Sequence, residues 1–332
     1  MSEGTRDYSI SIARIVAMIM VFASHFFDFF KCWYSIWPGG IGVGIFLCMS
    51  GYLYGLKYID DVNLFYRKEL KKIMIDYYVM AILQYSIIGI IYRCEVDSLA
   101  IDFLQVCLIN VNKTNYGALG TLWFIPYILA CYLITPILAN LLDNVKIERK
   151  CIIVFFVSVT IINIIAGEGH YNSAAILCFI FGYVMRRIEN SLTRMYFTVR
   201  NWVMFIAVVC VGLCVACRFD RMTLTDTELE AYTFVLPYIE YLAGCAAFFL
   251  MKDLLRKIWV TGFSDKTKRI IDRIDGLTYD IYLVHGCLIM GFLSLMRITD
   301  IMLVNILMVI CVSIIWAIVV KGLSDRIRSV LK

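Results

Sequence analysis

Residues 8–30 read YSISIARIVAMIMVFASHFFDFF. A bilayer core asks for about 20 predominantly apolar residues in helical form, and this stretch has that length while carrying Arg14 and His25 within it. It is too long for the apolar core of a signal peptide, and no A-x-A-like cleavage site follows, so it is expected to stay in the chain as a membrane span. Working outward, comparable apolar stretches recur at 38–58, 72–92, 121–142, 151–167, 172–188, 199–217, 231–251, 277–296 and 300–321, which predicts ten spanning helices. Residues 95–112 mix Leu99, Ile101, Phe103, Leu104 and Val106 with Glu95, Asp97 and Asp102, and are expected to form a short helix or loop at the interface.

Composition agrees with that count. Of 332 residues 61% are hydrophobic, about 203, against a usual apolar share of about 45–50%. That supplies roughly ten spans of about 20 residues with little left for a soluble domain. Charged residues at 17%, four prolines and a mean hydropathy of +0.80 exclude a disordered chain and a nucleic-acid-binding module.

The net charge of +5 becomes informative only by position. With the N-terminus inside, the inner segments hold 24 of the 31 Lys and Arg residues, the outer ones 6, and Arg14 lies within the first span. Such asymmetry predicts an even number of spans with both termini cytoplasmic. No internal repeat or low-complexity segment interrupts the pattern. The expected architecture is an all-α polytopic helix bundle, one membrane domain over residues 1–332 with no appended soluble domain.

Most of the thirteen cysteines, including Cys48, Cys131, Cys178, Cys245, Cys287 and Cys311, fall inside apolar runs, where cysteine behaves as a small hydrophobe. The CxxC of Cys214 and Cys217 has neither a second pair nor a nearby His, so no metal site is expected. Cys32 and Cys94 fall near one membrane face, and the sequence leaves their pairing open.

Ionisable residues inside a span are costly and therefore ask for a reason. Arg14 and His25 stand 11 residues apart, about 16.5 Å of helical rise and some 20° beyond three whole turns, so they share one face. Arg14 sits near the inner end and His25 several turns deeper. A guanidinium suits phosphate, and a neutral imidazole suits proton abstraction from a hydroxyl. A structural Arg–carboxylate pair and a hydrogen-bonded His explain each residue singly; the shared face is what joins them. Glu240, in the middle of the eighth span, is a carboxylate that would neutralise Arg14 or orient His25, and a purely structural ion pair suits it equally. His285, in the run Tyr279-Asp280-Ile281-Tyr282-Leu283-Val284-His285, falls at a depth between Arg14 and His25 and either lines the same cavity or bonds a neighbouring helix. His170 is expected in an outer loop.

Glycines at 40, 44, 51 and 55 give a small-xxx-small spacing that lets helices approach closely, and packing alone accounts for them. Ser50, between them, either donates into a cavity or bonds its own helix's carbonyl. Arg67, Lys68, Lys71 and Lys72 precede the third span. Such a cluster anchors a loop inside or holds the phosphates of an anionic cytosolic ligand. Trp123 and Phe124, with Pro126 and Pro136, predict a kinked fourth span with interfacial aromatics.

In combination these landmarks resemble the acyltransferase 3 family of bacterial membrane acyltransferases. Arg14 and His25 match its Arg/Lys-x10-His signature, Ser50-Gly51-Tyr52 its SGY/F motif, Leu122-Trp123-Phe124 with Pro136 its LWF…P, and Tyr282-Leu283-x-His285 its YLxH. The match runs in order over nearly the whole chain. Two departures stand out: Ser11 where relatives often carry Asp, and Lys68 and Lys71 where many have an Arg-x-x-Arg pair. Lysine keeps the charge there but loses the bidentate geometry.

The resemblance implies transfer of an acyl group, usually acetyl, from cytosolic acyl-CoA to a hydroxyl of a surface carbohydrate or its lipid-linked precursor, at the bacterial cytoplasmic membrane. It implies Arg14 with Arg67, Lys68, Lys71 and Lys72 on the CoA phosphates, and His25 as general base or as a transient acyl carrier. Ser50 or His285 would stabilise the oxyanion or align the thioester. A polytopic transporter or flippase, and a non-catalytic membrane module that binds a small ligand, are the alternatives from other classes.

Overall fold

Asp7 opens the first helix by accepting the backbone N–H of Ser9 at 3.0 Å, which satisfies a donor that the first helical turn leaves over. In the computed structural model of the chain, residues 6–31, 36–92, 96–107, 119–142, 170–189, 225–258 and 263–331 are described. They form α1 (Tyr8–Phe29), α2 (Ile36–Tyr54), α3 (Val62–Tyr92), α4 (Val96–Cys107), a 3-10 turn (Leu119–Leu122), α5 (Phe124–Leu142), α6 (His170–Ile188), α7 (Asp226–Ile258), α8 (Asp265–Asp275), α9 (Thr278–Ile289) and α10 (Met302–Val330). The fold is all-α, and no strand occurs among the described residues.

Five helices are long and apolar enough to cross a membrane, at Tyr8–Phe29, Val62–Ile91, Phe124–Leu141, Phe234–Leu255 and Met302–Val330. They fall on five of the ten expected spans, and this is a polytopic membrane helix bundle. The expected spans at 151–167 and 199–217, the CxxC and the Cys32–Cys94 question lie outside the described residues.

The described residues pack as two units. One draws on Met1–Ser24, Trp33–Asp60 and Ala130–Asp275, the other on His25–Cys32, Asp61–Leu129 and Gly276–Lys332. In the first, α2 lies against α6 and α7. Lipid tails are as apolar as leucine, so helices in a membrane gain little from hiding apolar surface and adhere through close packing. The glycines supply it. A Cβ on Gly44 would stand 3.0 Å from the Tyr241 backbone, and one on Gly244 2.7 Å from Gly44 Cα. Gly51 likewise meets the Phe179 backbone, and Gly182 meets that of Cys48. The expected small-residue packing face is thus present, with its partners on α6 and α7.

One end of this unit is closed by a polar clamp. The Tyr52 hydroxyl donates to Glu189, Lys252 Nζ lies 2.5 Å from the same carboxylate, and Arg186 Nη1 reaches both Glu189 at 2.9 Å and the Tyr52 hydroxyl at 2.6 Å. The Lys252 side chain is only 3% exposed, so its charge depends on Glu189.

The second unit assembles around α3. Asp61 caps this helix through the N–H groups of Asn63 and Leu64, and α3 starts ten residues before the expected span, carrying the basic cluster on helix. Its partner α4 is the short helix expected within 95–112. It runs antiparallel along α3, with Tyr77 donating to the Val106 carbonyl at 2.9 Å and Tyr85 to the buried Asp102 at 2.7 Å.

The ninth expected span, 277–296, is corrected. Its helix α9 has 12 residues, about 18 Å against a core of about 30 Å, and every residue of it from Asp280 to Ile289 is buried. The chain then leaves the helix, and side chains take over the backbone bonds that a helix would have made. Ser294 Oγ donates to the Ile289 carbonyl at 2.6 Å, and the buried Asn305 amide donates to the carbonyls of Met296 and Thr299 at 3.0 and 2.7 Å. A hydropathy profile sees only the apolar residues on both sides of that break. Similarly, α6 already begins at His170, where a loop was expected.

Pro136 lies inside α5. Its ring nitrogen cannot donate, and the neighbouring Thr135 hydroxyl adds a bond to the Cys131 carbonyl at 2.8 Å.

Candidate active site

Arg14 is held by a carboxylate. Its Nη1 lies 2.7 Å from Asp275 Oδ1 at the C-terminal end of α8. Asp275 is the hub of this cluster: its other oxygen receives Arg6 Nη2 at 2.5 Å and the Ser11 hydroxyl at 2.9 Å, and its side chain is 1% exposed. Arg6 continues to Asp272 at 2.9 Å. A carboxylate so enclosed needs several donors to offset its lost hydration, and α1 supplies them at positions 11 and 14, one helical turn apart.

The carboxylate set against Arg14 therefore comes from α8 and is not Glu240, for which the sequence leaves Arg14, His25 or a structural ion pair open. Glu240 is buried on α7 with its side chain against Gly40, where a Cβ would collide with the carboxyl group. Ser50 is half-buried on α2, next to the Gly51 contact with α6.

Farther along α1, in the second unit, His25 meets His285. Their ring centroids lie 5.0 Å apart at 45°. His25 is on the α1 turn that also carries Phe26 and Phe29, and His285 is buried in the middle of α9. The His285 Nδ1 lies 2.7 Å from the Tyr282 carbonyl oxygen. A carbonyl only accepts, so Nδ1 carries the proton, and in the neutral ring the lone pair is then on Nε2.

Two further motifs converge on this histidine. The Tyr282 ring stands 5.7 Å from that of His285, its hydroxyl donates to the Thr121 carbonyl at 2.9 Å, and Phe124 packs edge-on to it at 5.7 Å. Gly286 leaves room for Thr121, whose side chain would strike any Cβ there. The sequence pieces Leu122-Trp123-Phe124 and Tyr282-x-x-His285 are thus one packed assembly.

The basic residues Arg67, Lys68, Lys71 and Lys72 are all exposed on α3. Lys71 Nζ reaches the Leu331 carbonyl at 3.4 Å, and Arg328 of α10 donates to the Lys72 carbonyl at 3.1 Å and pairs with Asp76 at 2.6 Å. The C-terminal end of α10 is tied to this part of α3.

Asp275, the Glu189 clamp and Asp76 were not singled out in the sequence. Asp275 falls in a mixed-charge run, Asp272-Arg273-Ile274-Asp275, that reads as a solvated loop. The available signal was its place two residues before the start of an apolar stretch. Among the described residues no group of three or more His, Cys, Asp and Glu side chains is arranged to hold a metal ion.

The arrangement can do proton chemistry. It places two imidazoles side by side inside apolar helices, one with its tautomer set by a backbone carbonyl, and a separate cation–carboxylate cluster on the same α1 helix eleven residues earlier.

Compared with models of protein families, residues 7–321 match an acyltransferase domain, the acyltransferase 3 model. No curated protein and no solved structure matches the chain.

Proposed function

The chain belongs to the acyltransferase 3 family, and from that premise we propose that this membrane acyltransferase moves an acetyl group from cytosolic acetyl-CoA to a hydroxyl of a cell-surface carbohydrate or its lipid-linked precursor, with His25 as the base. The family match supports acyl transfer in a multi-pass membrane protein, and donor, acceptor, base and the bacterial cytoplasmic membrane are our reading of it.

The observation that carries this reading is the His25–His285 pair. His25 takes the proton of the acceptor hydroxyl as its oxygen attacks the thioester carbonyl. The C–S bond breaks as the tetrahedral intermediate collapses, and the proton on His25 passes to the departing thiolate. The neutral His285 ring, its Nδ1–H committed to Tyr282, has no second N–H to offer an oxyanion and acts by positioning His25. Ser50 is then the hydroxyl donor available for the oxyanion or the thioester. Arg14 and the α3 cluster of Arg67, Lys68, Lys71 and Lys72 supply positive charge for the donor's phosphates, with Glu240 buttressing α2 through Gly40.

The test is turnover of radiolabelled acetyl-CoA by the purified protein in detergent with a panel of glycan acceptors. Release of CoA and label on glycan, both lost in His25→Ala, are expected. A fully active His25→Ala variant overturns the base, and no transfer to any glycan by wild-type protein that still hydrolyses acetyl-CoA overturns the acceptor class.

A further inference from the structure

One surface of α8 is basic and exposed. At 100° per residue, Lys266, Arg269 and Arg273 fall within about 60° of one another on the helix, and all three are exposed. Together with Ile270 they line an open groove of about 380 Å³. No carboxylate pairs with any of the three among the described residues, whereas Lys268, on the opposite side, pairs with Asp265 at 3.8 Å.

The back of the helix is fixed. Asp275 and Asp272 hold Arg6, Arg14 and Ser11 of the α1 end, so α8 has one anchored acidic face and one outward basic face. Three cations in a row with no carboxylate partner among the described residues repel one another, and an anion seated between them offsets that cost. Beside the row, Ile270 and Ile274 are 49% and 39% exposed, an apolar strip that bare phosphate would leave in water.

We propose that this face of α8 binds the phosphate end of the acyl-CoA donor, with the 3′-phosphate and diphosphate on Lys266, Arg269 and Arg273 and the adenosine against Ile270 and Ile274. The inference rests on the acyl-CoA reading above and places on α8 the phosphates which that reading gave to Arg14 and the α3 cluster. The Arg14 guanidinium is engaged by Asp275, so a phosphate there has to compete with a buried carboxylate. Among the described residues the α8 row has no such competitor, and Arg273 lies two residues from Asp275, which holds the N-terminal end of α1.

The experiment measures binding of CoA and of dephospho-CoA, which lacks the 3′-phosphate, to the purified full chain in nanodiscs of zwitterionic lipid, and repeats it with phosphatidylglycerol added. Wild-type protein is compared with Lys266→Ala/Arg269→Ala/Arg273→Ala, the corresponding single variants and Lys268→Ala, all with melting temperatures recorded. The triple variant is expected to bind CoA at least about tenfold more weakly and to lose the preference for CoA over dephospho-CoA, with Lys268→Ala unchanged. Should the triple variant melt early, the single variants carry the comparison and are expected to weaken binding in the same direction. Unchanged CoA affinity overturns the proposal, as does a loss seen only with phosphatidylglycerol present, which gives the row to lipid headgroups. Wild-type protein that binds no CoA sinks the acyl-CoA reading itself, a result distinct from wild-type binding that the α8 variants leave intact.

Discussion

Asp275 Oδ1 lies 2.7 Å from Arg14 Nη1 and joins the last residue of α8 to the second turn of α1. The same carboxylate collects Arg6 and Ser11, so the cation of the Arg14/His25 pair is positioned by a residue 261 places away in sequence.

Asp275→Asn keeps the size of the side chain and removes the charge that offsets Arg14. Arg14 and Arg6 are 29% and 48% exposed, which lets water replace part of the interaction. A loss of about 1–3 kcal/mol is expected, read as a lower melting temperature in detergent. In a double-mutant cycle with Arg14→Ala the two losses should fall well short of additive; full additivity would mean that the pair contributes nothing as a pair.

His25 and His285 are expected to differ in kind. His25→Ala removes the proposed base, and kcat should fall about 10²–10⁴-fold. His285→Ala removes only the neighbour proposed to orient it, so a smaller loss with a displaced pH–rate profile is expected, partly restored by His285→Asn, which can still donate to the Tyr282 carbonyl. Equal, pH-independent losses in both variants would give His285 a direct chemical part.

Gly51→Ala places a methyl group against the Phe179 backbone. Backbone cannot swing aside as a side chain can, so α2 and α6 must separate, at a cost of about 1–3 kcal/mol or more. Gly322, on α10, has nothing within 4 Å of where its Cβ would be, and Gly322→Ala should gain up to about 1 kcal/mol from helix propensity. Thermal melts of the two variants, moving in opposite directions, check the packing.

Burial raises the pKa of Glu189, but hydrogen bonds and charges from Lys252, Tyr52 and Arg186 outweigh it, and the carboxyl is held below its ordinary value. A carboxylate whose pKa is lower folded than unfolded contributes stability that is fully present above the unfolded value and is lost as pH falls through the folded one. The clamp is therefore expected to weaken only in acid, below the ordinary glutamate range. Glu189→Gln should lower the melting temperature at neutral pH and flatten its fall toward acid, and parallel pH curves for variant and wild type would remove Glu189 from the acid response.

The sequence alone carried the class of the protein. Its 61% of apolar residues, arranged in stretches of membrane length, admits an all-helical membrane bundle and little else, because a backbone in lipid must satisfy its own hydrogen bonds. It also carried Arg14 and His25 as one helical face, since that depends only on a spacing of 11 residues and a fixed pitch. The glycine face of α2 was legible for the same local reason.

Tertiary structure decided everything that needed a partner. That Arg14 meets Asp275 and not Glu240, that His285 comes to 5.0 Å from His25, and that Thr121 and Phe124 pack on Tyr282 are contacts between segments far apart in sequence, set by how helices cross. The short α9 and the irregular chain after it were equally hidden. Hydropathy measures only how well a residue tolerates lipid, and is silent on whether its backbone bonds run within its own helix or to an asparagine on the next.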